Sequence, residues 1–133
     1  MEIRYPDLKT RVQSIFIDAI LMIVLMSVAA WIFDKAGIGG GENEGWVKAI
    51  TFISIWGVYE PLAMTLGCTA GNYLMGIRVR KHDLPESKIN ILQAYLRFLI
   101  KLLLGWISFV AMHSNKEKRA AHDLAAGTVM IEK

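Results

Sequence analysis

Four charged residues stand inside apolar stretches of this chain: Asp18, Glu60, Arg97 and Lys101. A lone charge in hydrocarbon costs at least about 2.5–3.5 kcal/mol on insertion scales, so two acids and two bases that meet relieve one another. An acid held in such a place can take up a proton or a monovalent cation, with a base to neutralise it when the site is empty. Helical rise sets the depths: Asp18 lies roughly 10 Å from Arg11, Glu60 roughly 9 Å from Leu66, and Arg97 at most about 12 Å deep. These comparable levels predict a cluster of Asp18, Glu60 and Arg97. A plainer reading stands beside it, in which such pairs only fix how helices pack and Lys101 snorkels along its stem to the surface.

Other residue types offer less. His82-Asp83 and His122-Asp123 look like halves of a metal site, but no further ligands stand at metal-site spacing. No metal and no cofactor is expected. There is no P-loop, CxxC or HExxH pattern and no nucleophile elbow, so no enzyme activity is expected either. The single cysteine, Cys68, excludes an intramolecular disulfide. It lies near a membrane boundary, where acylation is conceivable and a small boundary residue is the simpler assignment. Gly67 and Gly71 form a small-xxx-small pair, a signal of close helix contact.

The elements that must hold these groups are oily. Of 133 residues, 54% are hydrophobic and 20% charged, against about 45–50% and about 25% in soluble domains. The excess falls in three blocks, residues 15–33, 47–66 and 89–112, each close to the roughly 20 residues that cross a hydrocarbon core. A disordered tail, a disulfide scaffold and a water-soluble enzyme with long loops are thereby excluded, and residues 1–133 read as one integral membrane domain. A signal peptide competes for the first block, since Ser27-Val28-Ala29 is similar to a cleavage site. The apolar run continues past it to Phe33 and contains Asp18, which counts against that reading.

Between the blocks lie a glycine-rich polar loop (34–44), bracketed by Trp31 and Trp46, and a basic connector (67–88). Pro61 predicts a kink near Trp56 and Gly57. In the connector, residues 77–80 alternate apolar and basic as a short strand does, and the β-prone run 128–131 is a possible partner. In the third block Asn90, Gln93, Arg97, Lys101, Gly105 and Ser108 recur at steps of three and four, one helical stripe. Such a helix either spans with its stripe against a partner or re-enters with its basic face in the headgroups. The expected fold is therefore all-α: two transmembrane helices, a third basic-striped helix that spans or re-enters, and short β-prone pieces.

Charge distribution sets the expected topology. Arg4, Lys9 and Arg11 precede the first block, which puts the N-terminus in the cytoplasm. Length alone favours a crossing of the third block, but charge balance favours a cytoplasmic C-terminus, which is the expectation: the tail residues Lys116, Lys118, Arg119 and Lys133 then join the N-terminal bases on the cytoplasmic side. The basic residues sit beside the apolar blocks instead of forming one stripe, so nucleic acid is not an expected partner.

Three motifs in order carry a resemblance. Arg11 and Asp18 (RVQSIFIDAI), the connector Gly67-Cys68-Thr69-Ala70-Gly71-Asn72 through Gly76-Ile77-Arg78-Val79, and His122-Asp123-Leu124-Ala125-Ala126-Gly127-Thr128-Val129 resemble the RDD family of small bacterial membrane proteins. Two positions depart from that pattern: Ala70 stands where proline is usual and Asn72 where lysine is usual. The resemblance implies a bacterial inner-membrane protein and transport of cations against protons, with no ligand fixed by it. It also implies that Arg11 sits at the cytoplasmic end of the first helix and contacts Asp123, closing the tail over the inner mouth. Asp123 equally suits the start of a short helix, and rescue by an Arg11/Asp123 charge swap would separate the two.

Two functions follow as expectations. One is a small transporter of a monovalent cation or proton through Asp18, Glu60 and Arg97, which as a three-helix protein is expected to form a homo-oligomer. The other is a non-transporting module that binds a protein partner or anionic lipid through its basic cytoplasmic face.

Overall fold

The computed structural model describes residues 2–38 and 40–133. It is mostly helical. Three helical stretches are long and apolar enough to cross a membrane: Leu8–Ala36, Glu44–Leu66 and Ile91–Ser114. The first, α1, begins about two turns before the apolar block, so that Arg11 and Ser14 fall inside the helix, where they are buried. The second, α2, is continuous through Pro61.

The third stretch is two pieces. Helix α4 covers Ile91–Leu104, and a 3-10 segment follows over Gly105–Ser114. Asn90 opens α4 by accepting from the Gln93 N–H at 2.8 Å, while Gln93 accepts in return from the Asn90 N–H at 3.2 Å. Gly105 closes it in a conformation, φ 51° and ψ −127°, that side chains rarely adopt. Both ends of the stretch return to one end of the bundle. Ile89 is buried with Ile77, Val79 and Met130. Met112 is buried with Phe109 and Ala120, against Leu8 and Ile15.

That shared end is built by the connector and tail. The short helix α3 (Ala70–Leu74) leads into β1 (Ile77–Lys81), and α5 (Ala121–Ala126) leads into β2 (Thr128–Glu132). The strands pair antiparallel, Ile77 opposite Glu132 and Lys81 opposite Thr128. The expected partnership of 77–80 with 128–131 thus forms a two-stranded sheet. Arg80 donates to the Gly67 carbonyl at 3.3 Å and ties the end of α2 to β1.

The small-residue pair is only half used. A Cβ on Gly71 would stand 2.9 Å from the Asp18 carboxyl carbon and closer still to the Ser14 carbonyl oxygen, whereas nothing lies within 4 Å at Gly67. Gly71 is what allows α3 to seat on α1. Gly71→Ala is expected to destabilise by about 1–3 kcal/mol through overpacking, lowering the scanning-fluorimetry midpoint. Gly45→Ala, which meets open space, should leave it unchanged. Equal midpoints in the two variants would show that α3 does not rest on α1.

Candidate functional site

The charges inside the apolar stretches gather near the sheet end of the bundle, but in three separate settings. The first is centred on Asp123, which is fully buried. Its carboxylate accepts from Arg11 Nη1 at 2.5 Å and from the Ala120 backbone N–H at 2.9 Å. It also accepts from Arg97 Nη1, which in turn donates to Thr128 Oγ1 at 2.7 Å. Arg11 donates further to the Lys118 carbonyl at 2.7 Å. The contact between Arg11 and Asp123 and the capping role of Asp123 are therefore both present. One carboxylate holds α1, α4 and the start of α5 together.

The second setting is the Glu60–Lys101 ion pair. Glu60 also accepts from Trp56 Nε1 at 3.0 Å, one turn earlier on α2. Lys101 does not snorkel away. It stands one turn beyond Arg97 on the polar stripe and meets α2 from there. The stripe faces the tail and α2 throughout: Gln93 donates to the Ala126 carbonyl at 3.1 Å, and Ser108 bonds His122 Nδ1 at 2.6 Å.

The third setting is Asp18. Its carboxylate accepts from Thr69 Oγ1 at 2.6 Å, the Gly71 N–H at 2.8 Å and Tyr59 Oη at 3.1 Å. Among the described residues, no cationic group lies within ion-pair distance of it. The two departures from the family pattern belong to this setting. The Ala70 N–H donates to Tyr59 Oη at 3.0 Å, which a proline cannot do. Buried Asn72 accepts from Ser14 Oγ at 2.6 Å.

Asp18, Glu60 and Arg97 make no direct bond to one another. Depth places the three at similar levels, but each bonds to different partners. Arg97 goes to the tail, Glu60 to Lys101, and Asp18 to hydroxyl and backbone donors. Asp18, Arg97 and Lys101 do line a shared cavity of about 30 Å³ with Arg11 and His122. Tyr59, Thr69 and Lys101 complete the site. Tyr59 was hidden because its value lies in reaching α3, a contact that no helical spacing encodes.

A larger crevice runs between α1 and α2. Its volume is about 630 Å³, and Asp18, Tyr59, Glu60, Thr69 and Lys101 line one end of it. Ser27, Ala30 and Lys48 line it further along, roughly 18 Å away by helical rise.

Burial, helped by the charges of Arg97, Lys101 and Arg11, pushes the His122 pKa far below the ordinary histidine value. Neutral His122 in the fold and a titrating histidine in the unfolded chain mean that stability is full above about pH 6.5 and falls as the pH drops. The loss should reach about 2 kcal/mol by pH 5. Thermal midpoints at pH 7.5 and 5 test this, and His122→Asn should flatten the dependence; an identical slope in the variant would contradict it. Separately, Asp123→Asn should cost about 3–5 kcal/mol, because it leaves buried guanidiniums uncompensated. The Arg11→Asp, Asp123→Arg swap should not rescue, since it sets an arginine beside Arg97. A swap that restores the wild-type midpoint would refute the shared-carboxylate arrangement.

No curated protein and no solved structure matches the chain. One family model does, that of the RDD family, over residues 5–127. That match takes in all three charged settings and nearly the whole sequence, and the chain belongs to the RDD family.

Proposed function

We propose that this protein is a small transporter of protons or a monovalent cation in the bacterial cytoplasmic membrane, with Asp18 as the carrying group. The observation that supports this is the unequal pairing of the intramembrane charges. Among the described residues Arg97 and Glu60 have ionic partners, while Asp18 has hydrogen-bond donors only. A carboxylate with hydrogen-bond donors but no ionic partner among the described residues, on the wall of a crevice, is a place where an arriving positive charge gains. The Glu60–Lys101 pair on the same wall supplies an internal cation that can lean towards or away from the arriving one. Arg97 and Arg11 take no part in carriage in this reading. With Asp123 they close the inner end.

The same geometry supports one topology. Both ends of the third stretch meet the sheet end, which favours re-entry over crossing, with α1 and α2 as the two spans. The sheet end then faces the cytoplasm and collects Arg4, Lys9, Arg11, Arg78, Arg80, Lys81, Lys88, Lys116, Lys118, Arg119 and Lys133, against Lys35 and Lys48 on the other side. Two spans leave the crevice without a third wall along its outer half, so a homo-oligomer is the expected working form. The exposed bases Arg4, Lys9, Lys88 and Lys116 beside exposed Tyr73, Leu74 and Leu124 favour a second reading, binding of anionic lipid or a protein partner at that end.

Proteoliposomes holding a pH-sensitive dye test the first reading. Wild-type protein is expected to give cation-dependent proton flux, and Asp18→Asn to abolish it in protein that a thermal midpoint shows to be still folded. Wild-type vesicles that move no protons with Na⁺, K⁺ or Li⁺ would sink it, and strong binding to anionic vesicles would then favour the second.

A further inference from the structure

We propose that the crevice between α1 and α2 takes a hydrophobic organic cation, an onium or protonated amine with aromatic or alkyl bulk, seating its charge near Asp18. The inference rests on the reading of Asp18 as the cation-binding group and narrows its substrate class. Volume is the first argument. A dehydrated alkali ion needs a few tens of Å³, whereas about 630 Å³ falls within the roughly 300–1,000 Å³ of sites for drug-sized ligands.

The lining is the second. Phe52, Trp56 and Tyr59 recur at steps of four and three along α2, so one face of that helix presents three aromatic rings to the crevice. Met22 and Met26 line it from α1. Aromatic faces attract cations, more so where water is excluded, and methionine adapts to irregular shapes. Polar side chains converge at the inner end, as they do in sites that hold one charged head on an apolar body.

Charge complementarity is the third. In the crevice wall itself Asp18 and Glu60 stand with Lys101, which pairs with Glu60. Arg11 and Arg97 lie behind them in the smaller cavity, bonded to Asp123, and Asp18 has no ionic partner among the described residues. Asp18 already accepts three hydrogen bonds. A bare metal ion would have to displace those donors to gather oxygen ligands. A diffuse onium charge needs only proximity and a low dielectric, and leaves Tyr59, Thr69 and Gly71 where they are.

The test uses the full chain in nanodiscs of zwitterionic lipid, with tetraphenylphosphonium and its size-matched anion tetraphenylborate as probes, by equilibrium dialysis against empty nanodiscs. Saturable, protein-dependent uptake of the phosphonium and none of the borate is expected. Binding should weaken at least tenfold in Asp18→Asn and in Ala19→Trp, and tighten severalfold in Lys101→Met, which removes the competing internal cation. Asp18 also fastens α3, so Ala19→Trp, which fills the crevice beside the carboxylate, decides the matter if Asp18→Asn fails to fold. Equal uptake of both probes, or phosphonium uptake unchanged in Ala19→Trp, would overturn the proposal and assign the crevice to lipid chains or a second copy. Proton flux is measured on the same preparations. Flux without phosphonium binding overturns the organic-cation inference and leaves transport standing, whereas absence of both removes both.

Discussion

A carboxylate shared by two guanidiniums in a nearly dry interior is the interaction on which the rest of the molecule depends. Asp123 is fully buried, and Arg11 and Arg97 scarcely less so. Two like charges at such close quarters repel strongly where the dielectric is low. The carboxylate converts that repulsion into a three-way attraction and satisfies the first turn of α5 as well. Desolvating these groups is expensive, and the return lies in specificity: only one arrangement of α1, α4 and the tail gives each ion its partner. The tail is for that reason a part of the core. Its strand completes the sheet, and its aspartate bonds an arginine from each of two of the three helical stretches.

Much of this was legible in the sequence, at the level of elements. Oily blocks with few charges mark helices because the backbone has to satisfy itself where water is absent. The polar stripe from Gln93 to Lys101 announced a packed face, and alternation at 77–80 announced a strand. Arg11 with Asp123 came from the family pattern, since nothing in composition joins residues 112 positions apart. Pairing among the intramembrane charges was not legible. Depth along a helix follows from counting residues, but the direction in which a side chain leaves the axis matters only relative to neighbours, and these are set by tertiary packing. Arg97 and Lys101, one turn apart, consequently serve different acids. The break at Gly105 was hidden for a similar reason, because a glycine on a helical stripe is as compatible with close packing as with a reversal.

Charge is also unevenly spread between the two ends. The halves of α1 and α2 far from the sheet carry exposed apolar side chains such as Val24, Val28, Ile50 and Ile53, and little but each other for support. The sheet end holds the buried ion pairs and the buried clusters. Rigidity therefore belongs to the sheet end. The crevice walls beyond it are joined to it only through the helices themselves, a distribution in which local opening is least costly far from the sheet.

The order in which the chain is made gives the Asp123 arrangement a further meaning. Arg11 emerges early, yet its counter-ion lies 112 residues later, and that of Arg97 lies 26 later. Until residue 123 has been synthesised, neither guanidinium has its final partner, and each is cheapest at the level of the lipid headgroups. The contact that closes the interior around both arginines can therefore form only when nearly all of the 133 residues have been made.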